Sequence, residues 1–355
     1  MSVNWIRHFE LQLLNQNGKG IALSDFKVTF NIEWFNISTT TRVGVIKIYN
    51  LAASTANKIL GSEFSKVRLI AGYDGIADPV DVNQVGVVRE INADEIGQND
   101  GKNYGLLFSG DIRYSVTGKE NPVDSYVLIQ AADSDMAFIT TMSHQTLAAG
   151  YTAVDLNKAL MKDFSVSGVS EGKTPEMPPT VFPRGRVLFG MTRDLMDNVA
   201  SQCKATWMFV DGKREMVAQD EFVHDAIVLN STTGLIGMPQ QTLGNGVNVR
   251  CLINPNIKVN GLIQLDQKSV YRSQLGNTEI AMANGRITDQ NTNGNISLNG
   301  TTAQPASIAT DGVYIVRGIM YTGDTRGQAW YMDMMCEARG AADLRTQSSL
   351  ERGAG

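Results

Sequence analysis

Side chains able to carry out acid–base or metal chemistry are few and scattered in this sequence. The histidines are His8, His144 and His224, and none of them stands in an HExxH or HxH spacing. Metal ligands and general bases can come from distant parts of a chain, so separation alone does not exclude a site. The spacing nevertheless gives no positive indication of one. We therefore predict no catalytic residues and no metal site.

Neighbouring acids are the other candidates for chemistry. Paired carboxylates bind calcium or act as acid and base in glycoside hydrolysis. Asp94-Glu95 and the segment Asp133-Ser134-Asp135 have the required composition. However, the EF-hand spacing is absent, and no glutamate lies in an identifiable apolar pocket beside a second acid. Solvated loop acids are the commoner explanation, and the sequence favours it.

Glycine-rich segments do not form a nucleotide-binding signature. The GxSxG, Walker and GxGxxG motifs are absent. The stretches from Gly72 to Gly75 and from Gly323 to Gly327 are predicted as glycine-punctuated turns. Neither leads into a helical pattern, which a phosphate-cradling loop requires. No cofactor is expected.

Composition restricts the classes of function that remain. A chain of 355 residues, of which 43% are hydrophobic, is long enough for two or three domains with ordinary cores. Its net charge of −5 and the lack of a long basic run argue against specific nucleic-acid binding. The N-terminus lacks the apolar segment of a signal peptide, and no apolar run is long enough for a membrane helix. We expect a protein made in the cytosol without membrane insertion.

The number and spacing of the cysteines also fit a protein made in the reducing cytosol. Cys203, Cys251 and Cys336 are far apart and odd in number, and no CxxC pair occurs. This pattern predicts buried, reduced thiols rather than disulfides or a zinc site.

The elements that would position these residues begin with a block of strands over 1–133. Phe26 to Trp34 alternate apolar and polar side chains, which indicates a strand with one buried face. One short helix ending at Gly61 is predicted in the same block. The other strands predicted there are Phe9–Leu13, Val43–Leu51, Lys66–Tyr73, Val82–Ile91, Leu106–Ile112 and Tyr126–Ala131. Such strands suggest a sandwich or a barrel.

The pattern changes over 134–228, where a small α/β module is predicted. One helix follows Thr152 as N-cap, and a second carries Asp194 in its first turn. Ala205–Val210 and Lys213–Val217 are expected to form a hairpin around the turn Asp211-Gly212. The proline-rich segment 172–180 is expected to be an extended surface loop.

A second block of strands is predicted over 229–340. Val247, Val249 and Cys251 alternate with polar neighbours, and residues 330–337 separate an apolar face from a wetter one. Asn260-Gly261 is a turn dipeptide. The polar segment 277–311 is either a mobile excursion or a loop that orders against a partner, and the polar residues 341–355 form either a frayed tail or a docking tail.

Methionines raise a further possibility of a soft interaction surface. Met191, Met196, Met332, Met334 and Met335 are the residues concerned. Core packing is the more common role of such side chains, with a methionine-rich interface as the alternative.

Four stretches of the second block resemble a known family. Gly234–Gln241, Val249–Pro255, Gly312–Ile319 and Gly323–Trp330 are similar, in order and spacing, to segments of baseplate hub proteins from contractile-tailed bacteriophages. The resemblance implies two tail-tube-like β-barrel domains flanking the α/β module, so the expected fold is mainly β with an α+β insertion. The long polar insertion at 277–311 departs from the family pattern.

The resemblance also implies a function by assembly rather than by catalysis. In that family three copies form a ring that joins the sixfold tail tube to the threefold central spike and lets DNA pass. The implied partners are further copies of the chain, the spike, the tail tube or distal tube protein, and baseplate wedge or tape-measure components. The implied location is the virion tail baseplate, after assembly in the host cytoplasm. The alternatives are a tail-associated cell-wall hydrolase and a receptor-binding β module.

Overall fold

The structure is a computed structural model, and it describes residues 6–36, 41–74, 88–92, 103–218, 221, 224–231, 233–241, 246–265, 289–290, 296–297 and 312–338. The chain is mainly β with a helical insertion, as the sequence predicted. Asp94-Glu95, the tail 341–355 and nearly all of the polar segment 277–311 lie outside the described residues.

The first block of strands and the module follow one another along the chain. The first block contains β1 (Arg7–Leu14), β2 (Lys19–Leu23), β3 (Val28–Phe35), β4 (Val43–Tyr49), α1 (Ala53–Leu60), β5 (Lys66–Tyr73), β6 (Val88–Asn92), β7 (Asn103–Lys119) and β8 (Ser125–Ala132). The module contains α2 (Asp135–Thr140), β9 (Met142–Leu147), α3 (Ala153–Val166), β10 (Ser170–Glu171), β11 (Arg186–Met191), α4 (Thr192–Gln202), β12 (Ala205–Val210) and β13 (Lys213–Ala218).

The remaining elements form the second block and a small hairpin. They are β14 (His224–Leu229), β15 (Leu235–Gln241), β16 (Gly246–Leu252), β17 (Gly261–Leu265), β18 (Asp289–Gln290), β19 (Ile296–Ser297), β20 (Val313–Asp324) and β21 (Trp330–Ala338). Among the described residues, no helix combines the length and the apolar character needed to cross a membrane.

Within the described chain, a single hydrogen-bonded sheet of 14 strands includes both strand blocks. Its order is β15-β16-β21-β20-β3-β4-β8-β7-β5-β1-β2-β6, and β17 adds to β20 and carries β14. The junction is the antiparallel pair β3–β20, in which Phe35 faces Gly318 and Thr29 faces Asp324. Every pairing in this sheet is antiparallel except that of β14 with β17. The two blocks are therefore continuous through their backbones.

The domain limits at 133, 228 and 340 stay a prediction, with one detail to add. Residue 228 lies inside β14, which pairs with β17 of the large sheet. Strand β14 thus belongs structurally with the second block rather than with the module.

Two apolar cores follow from this arrangement. The sheet core gathers inward side chains from both strand blocks, and it also includes Met208 and Val210 from β12 of the module. The module core lies around α3, α4 and the β12–β13 hairpin, with Phe164, Trp207 and Phe209 stacked edge to face or tilted. Because β12 contributes to both cores, the hairpin fastens the module to the sheet.

Local chemistry explains why the module elements form where they do. Thr152 accepts a hydrogen bond from the Asp155 backbone N–H, and the Asp155 carboxylate accepts from the Thr152 backbone, which completes a capping box for α3. Asp211 and Gly212 both have positive φ, at 51° and 79°, as a two-residue hairpin turn requires. Residues 172–180 form no helix or strand, in agreement with the predicted extended loop.

Two local predictions need correction. Gly72 is not part of a turn, because it lies inside β5 with φ of 149° and faces Tyr104 across the sheet. Strand β7 is longer than predicted, since a register shift between Ile112 and Tyr114 lets it continue to Lys119. The predicted end of helix α1 at Gly61 is confirmed.

Candidate assembly surface

The four stretches that resemble hub proteins are brought side by side by the sheet. Residues 234–241 form most of β15, and residues 249–255 form the end of β16 and the turn after it. Residues 312–319 open β20, and residues 323–330 connect β20 to β21. Because β15, β16, β21 and β20 are successive neighbours, these distant segments make one surface.

The inner face of this surface is the predicted apolar one. Its side chains come from β16 and β21 and are all buried, namely Val247, Val249, Cys251, Trp330, Met332, Met334 and Cys336. Strand alternation therefore places the intervening side chains of the same strands on the outer face.

The outer face carries a groove of about 610 Å³. Its apolar lining is Phe35, Ile236, Met238, Met320 and Met335, and we call this feature the methionine groove. Met238 is 59% exposed and Met335 is 53% exposed. Methionine side chains adapt to partners of irregular shape, so an exposed cluster of them is typical of a protein contact surface.

The lining of the methionine groove also contains an ion pair between Arg250 and Asp333. Arg250 donates from Nε to Asp333 Oδ1 at 2.7 Å and from Nη2 to Asp333 Oδ2 at 3.0 Å. Its guanidinium also lies 4.3 Å from the ring centroid of Tyr331. The hydrogen bond to Asp333 raises the pKa of Arg250, so this pair stays charged and mutually engaged.

The opposite side of the methionine groove carries a carboxylate without a partner. Glu33 faces Met320 in the β3–β20 register and is exposed. It makes no ion pair or hydrogen bond with the described part of the chain. The groove therefore has one negative charge available for an incoming cation.

Strand β15 closes the groove on one side and is an edge of the sheet. In the described chain it pairs with β16 alone, and its register shifts between Ile236 and Gln240. Gly237 at φ of 69° and Pro239 lie within that irregular segment. Proline inside a strand is tolerated at edges and bulges, which fits the position of Pro239 in this edge strand.

A clamp holds the β20–β21 connection against the first strand block. Arg7 of β1 donates to the backbone carbonyl oxygens of Asp324, Gly327 and Gln328 at 2.9, 2.6 and 3.2 Å. Thr325 donates to the Phe26 carbonyl at 2.7 Å. The predicted Gly323–Gly327 turn is confirmed from Thr325 onwards, but Gly323 lies inside β20, where it faces Phe30 of β3 and Trp330 of β21.

Asp133 was expected to be a solvated loop acid, and this expectation was wrong. Asp133 is 1% exposed and accepts a hydrogen bond from Arg42 Nη2 at 2.9 Å, while Arg42 also pairs with Asp211. Burial raises the pKa of Asp133, and Arg42 opposes that shift. For Arg42, burial alone would lower the pKa, but Asp211 and Asp133 outweigh it and raise the pKa. The acid thus links the strand end before the module to the β12–β13 turn, where it also accepts hydrogen bonds from the backbone N–H groups of Asp211 and Gly212.

The other acid of that segment is also engaged. Asp135 is 5% exposed and accepts from Arg113 Nη2 at 2.6 Å. Among the described residues, no three His, Cys, Asp or Glu side chains are grouped as metal ligands would be.

The histidines are not brought together. His8 stacks on Tyr104 at a centroid distance of 3.8 Å and its Nδ1 lies 3.0 Å from Asp74 Oδ1. His144 lies on β9 of the module and His224 opens β14.

Methionines and cysteines divide between core and surface. Met196, Met332 and Met334 are buried, whereas Met335 is exposed and Met191 is half-buried. Cys251 and Cys336 are buried, as predicted, and Cys203 is half-buried. Sequence reasoning missed Phe35, Met238 and Met320, since only the pairing of β3 with β20 shows that they share a surface.

The fold is that of a class of phage tail proteins. No known family model matches the sequence, and no curated protein does. A tail protein from Neisseria meningitidis MC58 superposes with a TM-score of 0.52 over 95% of this chain and 98% of its own, at 8% identity. The 43 kDa tail protein of prophage MuSo2 from Shewanella oneidensis gives a TM-score of 0.51 over 94% and 98%, at 7% identity. Identities this low establish the fold alone.

Proposed function

We propose that this chain is a structural baseplate hub of a contractile phage tail. Three copies form a ring that joins the sixfold tail tube to the threefold central spike and lets DNA pass. Its partners are further copies, the spike, the tube and wedge or tape-measure components. It resides in the virion tail baseplate after assembly in the host cytoplasm.

The observation that carries the proposal is the shared fold along nearly the whole chain. Two tail proteins superpose over 98% of their own lengths, so the likeness includes both strand blocks and the module. The four hub-like stretches of the sequence also lie together on neighbouring strands.

The geometry supports work by assembly. Each chain contributes two strand blocks, so three chains contribute six, which matches a sixfold tube to a threefold spike. Among the described strands, β15 has an unpaired edge beside the methionine groove. An unpaired edge next to an apolar surface is suited to contact with another chain.

A hydrolytic role has less support from the described residues. Asp133 and Asp135 are engaged by Arg42 and Arg113, which leaves neither carboxylate free to act as an acid or a base. A peptidoglycan suspension incubated with the folded protein should therefore not clear. Clearing that is lost on replacing a single acid would favour the hydrolase instead.

The decisive experiment is a native-mass measurement combined with two-dimensional class averages of the purified chain, alone and with the spike. We expect trimers and a hollow ring with threefold or pseudo-sixfold symmetry. A chain that stays monomeric under all conditions and does not bind the spike would overturn the proposal.

A further inference from the structure

The module has a second exposed apolar surface, on the two-stranded ribbon β9–β11. The register places Met142, His144, Thr146, Val187, Phe189 and Met191 on one side, which we call the ribbon face. Phe189 is 77% exposed, Val187 is 70% exposed and Met142 is 52% exposed. Large apolar side chains exposed in a contiguous row mark a contact surface.

The other side of the ribbon is fixed to the module, so the ribbon face cannot turn inward. Ser143 donates to Asp163 Oδ2 at 2.6 Å, and Gln145 donates to the same oxygen at 2.8 Å. Leu188 is fully buried in the module core. The exposure of Phe189 is therefore a property of the rigid fold rather than of a loose hairpin.

Positive charge borders the ribbon face. Arg184 precedes β11 and is exposed, and its guanidinium forms no ion pair or hydrogen bond with the described part of the chain. Arg186 opens β11 opposite Leu147 and lies on the other side of the ribbon with Leu188. Guanidinium groups such as that of Arg184 bind carboxylates. The ribbon face is thus an apolar surface with one unpaired cation close to the start of β11.

The methionine groove has the complementary properties. It is a concave surface with five apolar side chains in its lining, and Glu33 beside Met320 is an exposed carboxylate without a partner in the described chain. We infer that the ribbon face of one copy docks in the methionine groove of the next copy, with Phe189 among the methionines and Arg184 towards Glu33. This inference deepens the proposed ring and rests on it.

The contact joins two different surfaces, so it is heterologous and propagates head to tail until the ring closes. From strand rise and spacing, the ribbon face covers on the order of 200 Å². A stable interface buries roughly 800 Å² per partner. The ribbon contact is therefore one part of the ring interface, and it selects the neighbour by charge and shape.

The first test is a cross-link in the full chain. We place Phe189→Cys and Met335→Cys together in a Cys203→Ala background, because Cys203 is the half-buried native thiol. Under mild oxidation, disulfide-linked dimers and trimers should form from trimeric samples of this variant. A variant with only one of the two introduced cysteines should give no linked dimers or trimers. Trimers that never cross-link would overturn the inference while leaving the ring intact.

The second test measures the trimer dissociation constant by analytical ultracentrifugation. Phe189→Ser should raise it about tenfold, since a central aromatic anchor is a typical hot spot. Val166→Ser is the matched control, because Val166 is 88% exposed but lies at the end of α3. Equal effects of the two substitutions would contradict the inference.

The third test exchanges the charges. Glu33→Arg alone and Arg184→Glu alone should each weaken the trimer severalfold, and combining the two substitutions should restore it. A combined variant weaker than either parent would overturn the pairing. A monomeric wild-type chain would remove both the ring and this contact.

Discussion

At the residue scale, Arg42 shows how a buried charge is tolerated. Its side chain is 2% exposed, and its guanidinium lies 4.9 Å from the Trp34 ring and 5.4 Å from the Phe108 ring. The carboxylates of Asp133 and Asp211 compensate the charge. A buried ion pair gains little over an apolar substitute, but removing one partner leaves an uncompensated charge.

Arg42→Met should therefore destabilise the chain by about 3–5 kcal/mol. Chemical denaturation followed by tryptophan fluorescence measures the change. Lys47→Met is the control, because it breaks the more exposed pair with Glu120 and should cost far less stability. Similar costs for the two variants would show that Arg42 is not sealed from water.

The thiols provide a second prediction at this scale. Burial raises the pKa of Cys251 and of Cys336, so neither forms a thiolate near neutral pH. At pH 8, a thiol reagent should label the native chain at Cys203 first and label the buried pair only after unfolding. Mass spectrometry of digested samples identifies the sites, and rapid labelling of Cys251 would contradict the burial.

At the element scale, Gly72 of β5 is needed because its backbone conformation and its close approach to β7 both exclude a side chain. Gly72 has φ of 149°, and a Cβ there would lie 2.2 Å from the Asn103 carbonyl oxygen. Gly190 has φ of 137° with open space where its Cβ would be. Both positions therefore have a positive φ that favours glycine, but only at Gly72 would an added Cβ collide with a neighbouring strand.

Gly72→Ala should lower the melting temperature more than Gly190→Ala. Backbone strain alone costs roughly 1–3 kcal/mol, and the clash with β7 adds to it only at Gly72. Differential scanning calorimetry of both variants separates the two contributions. Equal melting temperatures would mean that β5 and β7 can move apart without loss.

The capping box of α3 gives a prediction with a pH dependence. Thr152→Ala should cost about 1 kcal/mol, whereas Ser165→Ala near the other end of the helix should cost a few tenths. The Thr152 backbone N–H and hydroxyl lower the pKa of Asp155 below its ordinary 3.8. A carboxylate whose pKa is lower in the folded state than in the unfolded state stabilises the fold at any pH above its unfolded-state pKa. This contribution is lost as the pH falls through the folded-state pKa. Urea denaturation in acid should therefore show a smaller cost of Thr152→Ala than at neutral pH.

Local sequence patterns predicted individual helices and strands well, but they did not predict which strands pair with each other. The bounds of β5 and β12 match the predicted Lys66–Tyr73 and Ala205–Val210, because alternation and turn residues define them. The β3–β20 junction was not predictable, since nothing in either strand specifies a partner so far along the chain. The methionine groove depends on that junction, so the candidate site was recognised only in part, through its motifs and Met335.

At the scale of the whole molecule, the shared sheet makes the two strand blocks a single cooperative unit. Ile319 of β20 is fully buried and faces Trp34 of β3. A destabilising substitution in β20 should therefore also destabilise the strands of the first block.

Ile319→Ala should accelerate hydrogen exchange in β3 and β4 as well as in β20 and β21, at a cost of about 2–5 kcal/mol. Leu156→Ala is the control, because Leu156 is fully buried in the module core and should affect the module first. Exchange measured by mass spectrometry reports each segment. A response confined to the second block would show that the blocks unfold independently.

The clamp between Arg7 and the Asp324 carbonyl joins residues 317 positions apart. A ribosome adds about 5–20 residues per second, so the first strands wait for tens of seconds before β20 emerges to cover β3. During that interval β3 presents a bare strand edge, which invites pairing with other nascent chains. Recombinant yield should therefore respond to chaperone supply and to slower induction, and premature termination before β20 should produce aggregates rather than a smaller soluble product.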